Sequence, residues 1–231
     1  MSRDELIKPT VSSFIKEKQS NHDQHSKNGA GKFKTGTTTV GLTCKDAVIL
    51  GTDKRATMAY FVASKTSEKL HKIQDHLWMT IAGGVADAMY LVDVLRAETT
   101  LYQLQREKKI KVKSAGKVLS NILYQNKMTP YEVGLILGGV TEEEGPVLLD
   151  IGAYGSILPE KFCSVGSGQN FSYGVLEAKY KEGLTIKQGM DIVQRAITSS
   201  IIRDMASGNG IDLVAITKDG PAERKFIPIK E

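Results

Sequence analysis

The chain of 231 residues is poor in cysteine, with two, and in tryptophan, with one. Two thiols, Cys44 and Cys163, are too few for a disulfide scaffold, and they fit a reducing compartment in which buried thiols act as small apolar side chains. No stretch approaches the roughly 18 uninterrupted apolar residues of a membrane-spanning helix, and the polar N-terminus lacks the apolar core of a signal peptide. A cytoplasmic location is the expectation that follows, and one domain is enough for this length. Histidine is scarce too: His22 and His25 fall in the polar N-terminal stretch, leaving His71 and His76. With no Gly-x-Ser-x-Gly elbow, a Ser-His-Asp hydrolase is disfavoured. No metal site, cofactor or internal repeat is expected.

A charge excess large enough to mark a nucleic-acid binder is also missing. The formal net charge is +5, but residues 1–36 hold seven Lys and Arg against four Asp and Glu, and the remainder holds 24 against 22. That near-neutral body has no basic stripe with interleaved aromatics, so neither nucleic acid nor membrane is an expected partner.

What is present starts with a leader. Residues 1–36 are rich in Ser, Lys, Asn, Gln and His, with few large apolar side chains after Phe14. This composition cannot bury enough apolar surface to fold alone. The Gly29-Ala30-Gly31-Lys32 segment looks like a fragment of a phosphate loop but lacks its length and its Ser/Thr. The leader is expected to be a pro-segment removed on maturation, with residues 37–231 as the working domain.

At the junction stands Lys34-Thr35-Gly36-Thr37-Thr38-Thr39-Val40-Gly41-Leu42. Cutting the chain between Gly36 and Thr37 would give one residue both a hydroxyl nucleophile and a free α-amine. Such an amine titrates at roughly 7.7–8.0, against about 10.4 for lysine, so it is ready to accept a proton near neutral pH. Threonine with its own N-terminal amine is a known activated pair. Period-two alternation puts Thr37 and Thr39 on one face and Thr38 on the other. Thr38 and Thr39 read as β-branched strand filling. Gly36, lacking a Cβ, singles out Thr37.

The rest of the chain alternates between two periods. Residues 37–44 and 47–53 read as a hairpin, followed by strand-like runs at about 57–64, 69–73 and 77–82. From Val85 to about Lys108 the apolar residues Val85, Met89, Val92 and Leu95 keep helical spacing. A second helix is expected over about 114–127 with Ser114 as N-cap. Strands return at about 132–140 and 146–152, around the acidic tip Thr141-Glu142-Glu143-Glu144-Gly145, and again at 153–158 and 161–166. Helices follow from Gly168 to about Tyr180 and, capped by Thr185, to about Met205, before final strands at about 211–217 and 222–229. Strands, two helices, strands, two helices, strands suits a layered α/β arrangement with mainly antiparallel strands.

Six motifs in register now carry a resemblance. Gly36-Thr37-Thr38-Thr39-Val40-Gly41, Asp53-Lys54-Arg55, Lys69, Ile81-Ala82-Gly83-Gly84, Gly166-Ser167-Gly168 and Arg203-Asp204-Met205-Ala206-Ser207-Gly208 together resemble a proteasome β subunit of the archaeal type, over essentially all of 37–231. In isolation Lys69 reads as a solvated lysine, Asp53 and Arg55 as an exposed ion pair, Ser167 as a helix cap, and Asp204 with Ser207 as a helix end. The ordered set reverses those readings.

The resemblance implies the N-terminal-nucleophile hydrolase fold, a four-layer αββα sandwich, and a threonine peptidase that frees itself by cleavage at Gly36-Thr37. It makes Thr37 the nucleophile, Lys69 the lysine beside it and Asp53 the carboxylate holding that lysine. Ser167, Asp204 and Ser207 surround the free amine, and the Gly83 N–H faces the oxyanion. Extended geometry also allows an Asp53-Lys69-Arg55 charge cluster. Ala56, Ser67, His71, Ile81, Val85 and Met89 are implied to line the substrate side-chain pocket, which holds no carboxylate and so suits hydrophobic or neutral side chains. The implied partners are other β subunits in a heptameric ring, rings of α subunits, unfolded polypeptide substrates and an ATPase regulator acting through the α ring. A non-catalytic ring subunit of the same assembly is the alternative; retention of Thr37, Asp53 and Lys69 argues against it.

Overall fold

The computed structural model describes residues 36–229. The leader expected over 1–36, Gly36 apart, lies outside the described residues, as do its phosphate-loop-like segment, His22 and His25. Among the described residues there are twelve strands and four helices. The first sheet runs β10 (Phe162–Gly166), β1 (Thr38–Thr43), β2 (Val48–Asp53), β11 (Ile211–Thr217), β12 (Gly220–Ile227). The second runs β5 (Leu70–Gln74), β6 (Leu77–Gly83), β7 (Val133–Thr141), β8 (Gly145–Ile151), β9 (Ile157–Pro159). Every pairing in both sheets is antiparallel.

Three apolar clusters define the layers. Val48 and Leu50 of β2, Ile136 of β7, Leu148 of β8 and Val214 of β11 pack between the two sheets. Ile49 of β2 points the other way, into a cluster with helices α3 (Gln169–Lys179) and α4 (Ile186–Arg203). Leu135 and Leu137 of β7 meet α1 (Val85–Arg106) and α2 (Val112–Gln125) on the far side. The result is helix, sheet, sheet, helix, the αββα sandwich. Strands covered on both faces cannot alternate with water, so β2 and β7 are nearly all buried. A Cβ on Gly41 would fall 2.6 Å from the Leu148 Cδ1 atom of the opposite sheet, so a glycine there lets the layers close.

Several local expectations change. The 57–64 run is a separate hairpin, β3 (Ala56–Met58) and β4 (Phe61–Ser64), turning at Ala59 with φ of 54°. The buried face of α1 is Ala88, Leu91, Val92, Leu95 and Thr99, whereas Val85 in its first turn is 54% exposed. Ser114 does not cap α2: that helix starts at Val112, whose N–H donates to a Glu144 carboxylate oxygen at 2.7 Å. The acidic tip is therefore structural as well as solvated, for Glu143 also pairs with Lys111. Residues 153–156 form a turn before β9 instead of extending a strand. Thr185 does cap α4, in a reciprocal capping box with Gln188. Cys44 and Cys163 are buried free thiols, and burial raises the pKa of each. Among the described residues no helix is long and apolar enough to cross a membrane.

Leu50 is fully buried between the sheets. Leu50→Ala should lower the unfolding free energy by about 2–5 kcal/mol in urea titration; a change near zero would mean that the inter-sheet layer does not hold the fold. His71 and His76 are also buried, and burial lowers both pKa values below 6.5. The unfolded chain takes up those protons first as pH falls, so stability should drop below about pH 6.5. The expected readout is a lower melting temperature at about pH 5.5 than at about pH 7.5, and His76→Gln should narrow the gap. Equal melting temperatures would contradict it.

Candidate active site

The six motifs converge on one end of the sandwich. β1 starts there, β2, β6 and β10 end there, and β11 starts opposite Asp53. At the centre is Asp53, fully buried. One carboxylate oxygen accepts from the Thr38 N–H at 2.9 Å and from Lys69 Nζ at 2.7 Å. The other accepts from the backbone N–H groups of Arg55 at 2.9 Å and Gly208 at 3.0 Å. Four donors satisfy a carboxylate, which is what allows it to sit without water.

Lys69, 4% exposed, gives its second N–H to the Arg55 carbonyl. Two of the three ammonium donors are thus used. Burial pushes the Lys69 pKa below the ordinary lysine value, opposed by the charge of Asp53. Lys69 itself hangs on the second sheet, since its carbonyl accepts from the Ile81 N–H at 2.9 Å. The expected Asp-Lys-Arg charge cluster forms differently from the sequence reading. Arg55 joins through its main chain, while its side chain reaches the Asn209 amide oxygen at 2.9 Å and the Met205 carbonyl at 3.0 Å.

The second network lies across β1. The Thr37 N–H donates to Ser167 Oγ at 3.1 Å. Asp204 Oδ2 accepts from Ser167 Oγ at 2.6 Å and from Ser207 Oγ at 2.7 Å. Each serine has one hydroxyl proton, so with Ser207 committed to Asp204, the 2.7 Å contact between Ser207 Oγ and Thr38 Oγ1 has Thr38 as donor. Ser167 precedes α3 without capping it, Gly168 holding the N-cap position.

Between the networks is the Gly36-Thr37 peptide. Thr37 Oγ1 donates to the Gly36 carbonyl oxygen at 2.6 Å, and both groups are buried. The Gly36 N–H donates to Thr57 Oγ1 at 2.9 Å. A Cβ on Gly36 would lie 1.8 Å from the Cβ of Ala206, so contact with Ala206 excludes a larger residue at 36. The Thr37 carbonyl is met by Gly166, whose φ of 114° brings the backbone close enough that a Cβ would sit 2.1 Å from that oxygen.

Of the remaining predicted residues, Gly83 ends β6 with φ of 104°, where a Cβ would lie 2.1 Å from the Glu132 carbonyl oxygen. Among the described residues no hydrogen bond joins it to Thr37. Ala56 and Ser67 are half-buried, His71 and Ile81 buried, Met89 half-buried against the cluster that holds Ile81, and Val85 exposed. Among the described residues, His71 Nε2 is buried without a hydrogen-bond partner. Sequence reasoning missed Thr57 and, though Ala206 and Gly208 stand in one of the six motifs, gave neither a role. Only the glycine-rich Gly208-Asn209-Gly210 turn hinted at close backbone approach there.

Asp53→Asn tests the central pair. An amide accepts at its oxygen alone, so its NH2 would face either the Arg55 and Gly208 donors or those of Thr38 and Lys69, and in both orientations Lys69 loses its counter-charge. Breaking a buried pair typically costs about 3–5 kcal/mol, and a urea titration of the full chain should show a loss of that size. A loss under about 1 kcal/mol would indicate that water reaches the pair.

Comparison with known proteins gives the family. A family model described as proteasome subunit matches residues 33–216. The "Proteasome subunit beta" of Methanohalophilus mahii is 45% identical over 190 residues, covering 82% of this chain and 90% of the relative. Those of Methanocaldococcus vulcanius and Archaeoglobus profundus are each 45% identical, over 186 and 190 residues, covering 80% and 82% of this chain and 83% and 88% of the relatives. With an αββα sandwich and this likeness together, the chain belongs to the proteasome subunit family, as an archaeal-type β subunit and hence a threonine-type endopeptidase of the N-terminal-nucleophile class.

Proposed function

We propose that Thr37 is the residue through which this endopeptidase acts, first on its own chain and then on substrates. The observation that carries the reading is Thr37 Oγ1 held 2.6 Å from the Gly36 carbonyl oxygen, with the Thr37 N–H on Ser167. Thr37 Oγ attacks the Gly36 carbonyl carbon, the Gly36-Thr37 C–N bond breaks, and the departing nitrogen takes a proton. Water hydrolyses the resulting ester. Residues 1–36 leave with a Gly36 carboxylate, and Thr37 keeps its hydroxyl and gains an α-amine. The leader is thus a propeptide that masks the base.

In the mature chain the α-amine sits beside Ser167 and, through it, Asp204 and Ser207. It takes the proton from Thr37 Oγ as that oxygen attacks a substrate carbonyl. Lys69, oriented by Asp53, offers its third N–H to the charge developing on Oγ, and the Gly83 N–H meets the oxyanion. Losing one such donor typically slows catalysis about 100-fold or more. Ala56, Ser67, His71, Ile81, Val85 and Met89 line the pocket for the side chain before the cut bond, favouring hydrophobic or neutral groups.

The mature chain assembles with other β subunits in a heptameric ring stacked against α-subunit rings, so that the sites face an inner chamber that admits unfolded polypeptides. An ATPase regulator docks on the α ring, and the particle is cytoplasmic. No cofactor takes part in this reading.

Peptide hydrolysis by the assembled particle is the test. Thr37→Ala should lower kcat for a Tyr-ended fluorogenic peptide by on the order of 10³-fold or more, without loss of assembly. Activity near the parent's would refute Thr37 as nucleophile. Tyr-ended peptides should be cut faster than Asp-ended ones; the reverse order would overturn the pocket assignment.

A further inference from the structure

Thr57 stands outside the resemblance that identified the other site residues, yet its hydroxyl oxygen accepts from the N–H of the glycine that precedes the bond to be cut. We infer that the Thr57 side chain is a positioning residue for self-cleavage, fixing the carbonyl that Thr37 attacks. This rests on the proposal that the chain cleaves itself after Gly36.

Gly36 has no side chain, and its backbone can rotate through conformations closed to other residues, so the orientation of its carbonyl must be set from outside. Contact with Ala206 forces a glycine here, because a Cβ would lie 1.8 Å from the Ala206 Cβ. The packing that requires a glycine thereby leaves a loose hinge at the reacting carbon. Two hydrogen bonds remove that looseness. On the leader side the Gly36 N–H is held by Thr57 Oγ1 at 2.9 Å; on the other, the Thr37 N–H is held by Ser167 Oγ at 3.1 Å. The scissile carbonyl lies between two anchored amides, and its oxygen accepts a hydrogen bond from the Thr37 hydroxyl at 2.6 Å.

Thr57 is suited to this. It lies in β3, paired with Val62 of β4, and is 5% exposed. Its β-branched side chain has few rotamers in a strand, so its oxygen is a fixed acceptor. Water has little access to replace it. Without that oxygen the Gly36 N–H is a buried donor with no partner, and the peptide turns to relieve it. Displacements of this kind lower the population of attack-ready geometry and slow an intramolecular reaction strongly.

The experiment follows conversion of the full chain, assembled with its α-subunit partner, by intact mass over time. Thr57→Val keeps the shape and loses the oxygen; the Thr37-started product should appear about tenfold or more slowly than in the parent. Thr57→Ser, which restores the oxygen on a smaller side chain, should recover most of the rate. Rescue by serine is an outcome that mere packing by Thr57 would not give. Thr57→Val converting at the parental rate, or Thr57→Ser as slow as Thr57→Val, would overturn the inference. Should Thr57→Val fail to assemble, Thr57→Ser and Thr57→Ala, which differ only by the oxygen, decide the matter in the same way. A parent chain never cut after Gly36 would instead refute the self-cleavage reading itself.

Discussion

The Asp53-Lys69 pair joins the two sheets at the end of the sandwich where everything else collects. Asp53 closes β2 in the first sheet, and Lys69 is tied by its carbonyl to β6 in the second, so the 2.7 Å contact bridges the layers where the apolar filling stops. Two charges removed from water are a liability on their own. Here the carboxylate has four donors and the ammonium two acceptors, and these supply what solvent would have given. The same bonds hold Thr38, Arg55 and Gly208 in place. A single buried carboxylate therefore sets where β1 begins relative to the loop before β11, and with it the position of Thr37.

Around that anchor, the geometry gives the Gly36-Thr37 peptide two sides. The Asp204 side gathers hydroxyls at the Thr37 nitrogen, and the Thr57 and Ala206 side confines the glycine before it. Many polar groups at this end are held by hydrogen bonds, which suits the proposed cleavage after Gly36. Preorganisation of this kind would serve both of the proposed reactions.

Chain order and chemistry made much of this readable beforehand. Thr37, Asp53, Lys69, Ser167, Asp204 and Ser207 stood in motifs with hydroxyls, glycines and charges at telling places, and the structure brings them into two connected networks. Runs that switch between two periods suggested a layered α/β arrangement, and the resemblance supplied the αββα order. What stayed hidden depends on contacts between distant segments. Thr57 meets Gly36 across 21 positions, and Gly208 meets Asp53 across 155, pairings that no local pattern announces. The start of α2 was misplaced for the same reason, since its capping carboxylate, Glu144, comes from 32 positions away. Arg55 was read by its charge, whereas its peptide group is what serves Asp53 and Lys69.

The central claim is that one cut exposes a threonine that is both attacker and base. N-terminal sequencing of the β chain in the assembled, active particle tests this most directly. The account predicts a chain beginning Thr-Thr-Thr-Val-Gly, with Thr37 first. An active particle whose β chain still begins at Met1, or at any residue other than Thr37, would contradict it.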